Sequence, residues 1–427
     1  MANAELPNVS GEPAYPILLV LAIPVGLAAA LVTIGFRAVI SKLHWLLTHR
    51  GEGMIDTAMH LPWWQRVLVP TIGGCIAGGI LVAAYRWSSS KSSDYLEAVS
   101  VGDGTLGTRA TLLRSASSLF SIASGGSIGR EGSMVQLSAY LASLVGRMCI
   151  SIEQRQILVG CGAAAGIAAV YNAPLAGVIF VSEIVMRSMA LERLAPLMVS
   201  AVVASATMRI FHEQTLFGTP TFELVSNYEL LPYAVLGAIA GIAGPGFLGA
   251  IAVVRRAFDR FSMILPVKLA IGGLIVGLIS VRVPHVWGNG YGVVLSLLGD
   301  TWTWDAIALL LVCKVVATAA TAGSGAVGGV FTPTLFVGAA LGTLWGLPWH
   351  HLYPNTIGSA NAYALVGMGA FLAATTHAPF MAVLMVFEMT LDHRILLPLM
   401  LACILGAYIS RAIGAKSVYA ISERPKL

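Results

Sequence analysis

Long runs of apolar residues recur along the whole chain. The clearest runs are 17–34, 67–84, 157–185, 230–254, 269–279, 306–322, 363–374 and 395–409. About 20 apolar residues cross the hydrocarbon core as a helix, and runs this long exclude the short strands of a membrane barrel. Only 11% of the residues are charged, whereas about 25% is usual in a soluble domain. The sequence therefore predicts an all-α, polytopic membrane protein in contact with the lipid bilayer.

Glycine and proline interrupt many of these runs. The chain has 46 glycines and 19 prolines. Such breaks are tolerated at membrane depth where the freed backbone is buried in protein or lines a cavity. In transporters the resulting half-helices direct their ends at the substrate. The alternative is that small residues only allow close helix packing. We expect broken and tilted helices.

Two segments of the chain match at an offset of 205 residues. Residues 162–183 and 367–388 are identical at nine of 22 positions, and the matches include an Ala-Pro pair and a terminal glutamate, Glu183 against Glu388. The sequence therefore predicts a single membrane domain over 1–427 made of two homologous halves, and we expect the two halves to be inverted relative to each other. We expect the first repeat at about 17–255 and the second at about 266–420. Such duplication is typical of transporters and channels, with the site at the repeat interface.

A glycine-rich turn precedes an apolar helix in each half. The first turn contains Gly129, Arg130, Glu131 and Gly132, and the second ends in Gly-Gly-Val330-Phe331-Thr-Pro. Glycine allows close backbone approach, and the unpaired N–H groups and positive dipole end of a helix attract anions. A single turn of this kind could be a packing loop. Two equivalent turns predict a shared anion site.

These motifs, together with Asn-Ala-Pro-Leu-Ala-Gly at 172–177 and Tyr419, resemble the CLC family of chloride channels and chloride/proton exchangers, and most of all its bacterial ClcB-like branch. The resemblance runs from about residue 90 to Tyr419. It implies a homodimer in the bacterial inner membrane, with chloride as the transported ligand and one pore per subunit. It assigns Glu131 as the gate, and the backbone N–H groups of Val330 and Phe331 and the Tyr419 hydroxyl as anion ligands. Independently, a carboxylate at a helix N-terminus can substitute for the anion, although Glu131 could also cap its helix or pair with Arg130.

The sequence departs from the family pattern at two positions that bear on mechanism. The position of the exchangers' inner proton-transfer glutamate holds Ile184, and the neighbouring Glu183 is the remaining candidate for a proton path. Successive helical residues lie about 100° apart, so Glu183 should face another side. The family's anion-binding serine falls on Ser90 or Lys91, and the spacing leaves both open.

These features favour a chloride pathway that is channel-like, with weak or no proton coupling; a chloride/proton antiporter is the alternative. An intramembrane hydrolase using Ser324 and His377 is a remote alternative, because duplication explains His377, which matches Asn172, without catalysis. We expect no enzymatic activity and no cofactor. We also expect no metal site, since the five cysteines have no ligand-like spacing. We also expect no nucleic-acid partner and no cytoplasmic nucleotide-binding domains.

Overall fold

Seventeen α-helices run through the part of the chain that the computed structural model describes, which is residues 15–86, 94–149, 151–211, 224–299, 302–354 and 356–420. The helices of the first part are α1 (Tyr15–Thr48), α2 (Met54–His60), α3 (Trp63–Arg86), α4 (Tyr95–Ser100), α5 (Thr108–Ala123), α6 (Glu131–Gly146), α7 (Ile152–Tyr171), α8 (Pro174–Phe180) and α9 (Leu191–Phe211). Those that follow are α10 (Leu230–Arg260), α11 (Leu265–Arg282), α12 (Tyr291–Gly299), α13 (Trp304–Gly323), α14 (Phe331–Leu352), α15 (Ala360–Thr376), α16 (Pro379–Thr390) and α17 (Leu396–Ala412).

Seven of the described helices are long and apolar enough to cross a membrane. They are α1, α3, α9, α10, α11, α13 and α17, some with a few flanking residues. By contrast α7 and α15 are buried within the protein along most of their length. Each packs against the helices before and after it, so α7 and α15 form the centre of their halves. The prediction of an all-α, polytopic membrane protein is confirmed.

The apolar run 157–185 is broken in its middle. Helix α7 ends at Tyr171, Asn172 adopts a left-handed conformation with φ 52°, and α8 begins at Pro174. The second half repeats the break, with His377 at φ 60° between α15 and α16. Proline lacks the N–H that a helix start leaves unpaired, so it suits the first turn. The predicted broken helices are therefore present.

Equivalent residues of the two halves make equivalent hydrogen bonds. Ser205 Oγ of α9 donates to Asn172 Oδ1 over 2.6 Å. In the second half the Ser410 hydroxyl of α17 bonds to His377 Nε2 over 3.0 Å, and both pairs are related by the 205-residue offset. The duplication in the sequence is thus repeated in three dimensions from α7 to α9 and from α15 to α17.

The packing of α10 bears on where the halves divide. Helix α10 packs on α15 and α17, as α1 packs on α7 and α9. It also contacts α13 and α14, as α1 contacts α5 and α6. This pattern favours a boundary between α9 and α10. The predicted boundary near 255–266 lies later in the chain, at the connection between α10 and α11.

Candidate functional site

The two glycine-rich turns meet between the starts of α6 and α14. Gly129 N–H donates to Gly329 O over 2.7 Å, and Gly329 N–H donates to Gly129 O over 2.9 Å. Equivalent residues that donate to each other in this reciprocal way are typical of two units related by a two-fold axis. Inverted halves would be related by such an axis. Both helix N-termini therefore lie beside this pair of turns.

Glycine is required for this approach. A Cβ at Gly129 would lie 2.8 Å from Gly329 O and still closer to the Glu131 carboxylate, and one at Gly132 would lie 3.3 Å from Gly329 N. Distances below about 3 Å would force the turns apart. Because these glycines have no side chain, the backbones of the two turns can approach each other beside the helix ends. Helix α6 begins there with Glu131 after Arg130, and α14 begins with Phe331 after Val330.

The Glu131 side chain is buried between these turns, with 5% of its surface exposed. Its Oε1 accepts a hydrogen bond from Asn289 Nδ2 over 2.9 Å. Its Oε2 is buried and has no hydrogen-bond partner among the described residues. Within the same residues Glu131 makes no ion pair with Arg130, so that alternative for its role is not supported. A buried carboxylate with one unpaired oxygen is a costly arrangement, which makes Glu131 a candidate functional residue.

Aromatic residues surround the start of α14. The Phe331 ring lies 5.3 Å from the ring of Tyr171, measured between centroids. The Tyr171 hydroxyl bonds to Thr332 Oγ1 over 2.9 Å, and the charge of Glu131 acts on Tyr171. The end of α7 thus packs against the first turn of α14, which fixes the position of the N–H groups there.

Tyr419 reaches the same site from the segment after α17. Val418 N–H donates to Thr375 O over 2.9 Å, and the Tyr419 ring lies edge-on to Phe180 with centroids 5.2 Å apart. Tyr419 is close enough to Glu131 for the charge of the carboxylate to act on its phenol. Tyr419 therefore lies within the electrostatic reach of Glu131, while its role in anion binding remains a prediction.

A cavity of about 400 Å³ is lined by Tyr419 and Ile184 together with Arg187 and Arg193. Glu183 is turned away from this lining. Its Oε2 accepts a hydrogen bond from Met381 N over 2.9 Å at the start of α16. Glu183 and Ile184 therefore face different surroundings, as the angle of about 100° between successive helical residues predicts.

Comparison with known proteins identifies the family. The model of the voltage-gated chloride channel family matches residues 73–411, which is most of the chain. The chain belongs to the CLC family. A CLC protein of Ralstonia nicotianae described as ClcB-like is 54% identical over 403 residues, covering 93% of this chain and 94% of that protein. The voltage-gated ClC-type chloride channel ClcB of Citrobacter koseri is 39% identical over 408 residues, covering 94% and 97%.

Solved CLC structures have the same fold. A slow cyanobacterial Cl⁻/H⁺ antiporter is 26% identical, with a TM-score of 0.83 over 94% of this chain and 96% of that one. A CLC-type fluoride/proton antiporter is 22% identical, with a TM-score of 0.76 over 95% and 97%. The second likeness concerns the fold alone. The expectation that this chain is a bacterial ClcB-like CLC protein is confirmed by the curated relatives.

Ser90 and Lys91 lie outside the described residues. For the hydrolase alternative, Ser324 Oγ donates to Thr321 O over 2.8 Å, whereas His377 bonds to Ser410. Among the described residues Ser324 and His377 therefore do not form the nucleophile and base pair that catalysis requires.

Three residues at or near the site were not predicted from the sequence. Arg37 of α1 donates to Val170 O over 2.7 Å and lies within the electrostatic reach of Arg130 and Glu131. Lys314 of α13 is fully buried. Asn289 holds Glu131. Lys314 could have been found as a charged residue within the apolar run 306–322, and Arg37 as one just after the run 17–34. Asn289 has no comparable sequence signal beyond its flanking glycines.

Proposed function

We propose that this protein carries chloride across the membrane between the N-termini of α6 and α14. The meeting of the two turns at Gly129 and Gly329 carries this proposal. Backbone N–H groups and two helix dipoles attract an anion without a full positive charge beside it. Binding of this moderate strength suits conduction, which requires release as well as entry. The chloride named for the curated ClcB relative supports the choice of anion.

Glu131 acts as the gate in this proposal. Its carboxylate lies at the start of α6, so the field that would hold chloride also holds the carboxylate. One carboxylate oxygen is already bonded to Asn289 and the other is unpaired. Protonation removes the negative charge and thus the attraction to the helix ends. Acidification then frees the pathway for chloride.

The pathway is channel-like, with weak or no proton coupling. A proton that crosses tens of ångströms needs ionisable groups or water at each end of its route. Ile184 lines the cavity below Tyr419 and carries no proton, and Glu183 is bonded to the backbone of α16. The second candidate is a chloride/proton antiporter, which the likeness to the cyanobacterial antiporter favours.

The setting of this function is the bacterial inner membrane, and the assembly is a homodimer with one pore per subunit. Seven helices of spanning length support an integral membrane protein. Relatives from Ralstonia and Citrobacter support a bacterial membrane. Apolar side chains exposed on α16 and α17, such as Phe380 and Ile404, suit either lipid or a second subunit.

Substitution of Glu131 by Gln tests the gate. Purified wild-type and Glu131→Gln proteins are reconstituted in liposomes, and chloride efflux is measured across the pH range in which carboxyl groups titrate. We expect wild-type efflux to rise on acidification and Glu131→Gln efflux to be high and independent of pH, since the amide imitates the neutral carboxyl. Glu52→Gln, at an exposed glutamate outside the cavity beside Tyr419, is the control. A pH dependence that survives in Glu131→Gln contradicts the gating role.

A further inference from the structure

The loop between α11 and α12 delivers Asn289 to the gate. Asn289 lies between Gly288 and Gly290, which have φ 67° and 90°. This left-handed backbone favours glycine and bends the loop tightly at Asn289. The Nδ2 amide donates to Glu131 Oε1 over 2.9 Å, while Oδ1 accepts from Tyr291 N over 3.2 Å. The second bond fixes the amide so that its donor faces the carboxylate.

A buried lysine anchors this loop to the second half. Lys314 Nζ donates to Val286 O over 3.1 Å and to Gly288 O over 2.7 Å. The ammonium also lies 5.6 Å from the centre of the Phe336 ring on α14, a distance at which a cation is attracted to the ring face. A Cβ at Gly290 would lie 3.1 Å from Phe336 and 3.2 Å from the Lys314 chain. The loop therefore has little room to shift.

The same loop also contacts the turn of the first half. Gly288 N–H donates to Gly125 O over 3.3 Å. The Trp287 ring is fully buried and packs so closely on Gly125 that a Cβ there would lie 2.5 Å from the indole. The loop thus contacts the first glycine-rich turn as well as α13 and α14 of the second half, and Asn289 is its contact with Glu131.

We infer that Asn289 is a positioning residue that holds the ionised Glu131 in the pathway and so sets the pH at which the gate releases. The inference rests on the gating role proposed above. An amide N–H stabilises a carboxylate but has much less to offer a neutral carboxyl. Because its loop is anchored on both halves, the amide stays in place while the glutamate leaves and returns.

Other charged and titratable groups also act on this region and are retained in the test. Arg37 of α1 is within reach of the charges of Arg130 and Glu131. Tyr171 of α7 and Tyr419 are both affected by Glu131, and Tyr291 of α12 by Arg37 and Arg130. Among these neighbours Asn289 supplies the direct hydrogen bond. Its removal therefore changes the hold on Glu131 without changing the net charge.

The test is the pH dependence of chloride efflux from liposomes for Asn289→Leu, which has a similar shape and no donor, and for the smaller Asn289→Ala. We expect the pH of half-maximal efflux to rise, so that roughly tenfold less proton concentration opens the gate, since one hydrogen bond to a charged group is lost. Efflux at neutral pH should rise accordingly. Asn361→Leu is the matched control, because Asn361 Nδ2 donates to Leu298 O over 2.7 Å outside the gate.

The variants are also combined with Glu131→Gln. We expect no further change in the combined protein, because the group that Asn289 holds is no longer ionisable. The positioning role is overturned if Asn289→Leu and Asn289→Ala keep the wild-type pH profile of efflux. It is also overturned if the Asn289 substitutions still change the efflux profile when Glu131→Gln is present. In either case, a flat profile of Glu131→Gln alone means that the gating role of Glu131 still stands. A Glu131→Gln profile that still follows pH overturns the gate, and the role of Asn289 with it.

Discussion

Tyr419 combines a packing contact with a polar end near the gate. Its ring lies edge-on to Phe180, and its backbone N–H donates to Ser417 Oγ over 3.2 Å. The ring therefore has an apolar neighbour, and the phenol remains within the electrostatic reach of Glu131. A hydroxyl can donate a hydrogen bond to an anion without adding charge. At the scale of one residue, Tyr419 is thus suited to bind chloride next to the carboxylate.

Tyr419→Phe should weaken chloride binding and leave the fold intact. The substitution keeps the contact with Phe180 and removes only the hydroxyl. We expect chloride affinity, measured by calorimetry on the purified protein, to fall by about tenfold, the loss of one hydrogen bond to a charged group. Tyr408→Phe serves as the control, because Tyr408 on α17 is 70% exposed. An unchanged affinity would show that Tyr419 only packs.

Single residues of the site differ in how far the sequence reveals them. Glu131 and Tyr419 stand in recognisable motifs, Lys314 is a charge within an apolar run, and Arg37 lies just after one. Asn289 is an ordinary amide in a glycine-containing loop. Its contact with Glu131 spans 158 residues of sequence and depends on how the loop docks against both halves. No local pattern contains that information.

At the scale of helices, α8 and α16 cap each other. Glu388 near the end of α16 accepts hydrogen bonds from Leu175 N over 3.0 Å and Ala176 N over 2.7 Å at the start of α8. Glu183, beyond the end of α8, accepts from Met381 N at the start of α16. The first N–H groups of a helix have no partner within it, and a carboxylate there also interacts favourably with the dipole. The repeated glutamate is thus explained as a reciprocal cap.

Glu388→Ala should destabilise the protein. The substitution leaves two backbone N–H groups of α8 without their acceptors, and we expect unfolding to cost about 1–3 kcal/mol less. The measurement is denaturant or thermal unfolding of the purified protein in detergent. Glu153→Ala provides the comparison, since the exposed Glu153–Arg193 pair contributes at most about 1 kcal/mol. Equal stability of the two variants would contradict the capping role.

The broken helices themselves were predictable, whereas their partners were not. Ala-Pro within an apolar run indicates a helix start, and it occurs at 173–174 and again at 378–379. The sequence also places a glutamate nine residues after each proline. That each glutamate caps the helix of the other half follows only from the packing of α8 on α16.

At the scale of the whole molecule, the route for protons is the open functional question. We predict that a chloride gradient drives little or no uphill proton movement in liposomes, because Ile184, which lines the cavity beside Tyr419, cannot carry a proton. Proton and chloride fluxes are measured together on the same vesicles. Glu183→Gln should barely change them, since its carboxylate is engaged with α16.

The opposite result is informative as well. Robust proton pumping against the gradient would contradict the channel-like pathway. Loss of that pumping in Glu183→Gln would then identify Glu183 as the inner relay, and its persistence would indicate a water-filled route past Ile184.

The duplication was visible in the sequence, but the division between the halves was harder to locate. The matching segments at 162–183 and 367–388 lie far from any boundary, so they do not locate the division that we predict near 255–266. The packing of α10 on α15 and α17 groups it with the second half. Association of helices depends on which faces meet, and hydropathy along the chain does not report that.

The mutual caps of α8 and α16 also have a consequence for the order of synthesis. The acceptor for Ala176 N is Glu388, which is 212 residues further along the chain. The start of α8 therefore leaves the ribosome long before its acceptor exists. Glu183, in contrast, is already present when Met381 is made. Until α16 has been made, the start of α8 therefore lacks the acceptor that it has in the finished structure, and this part of the first half is completed only by one of the last helices.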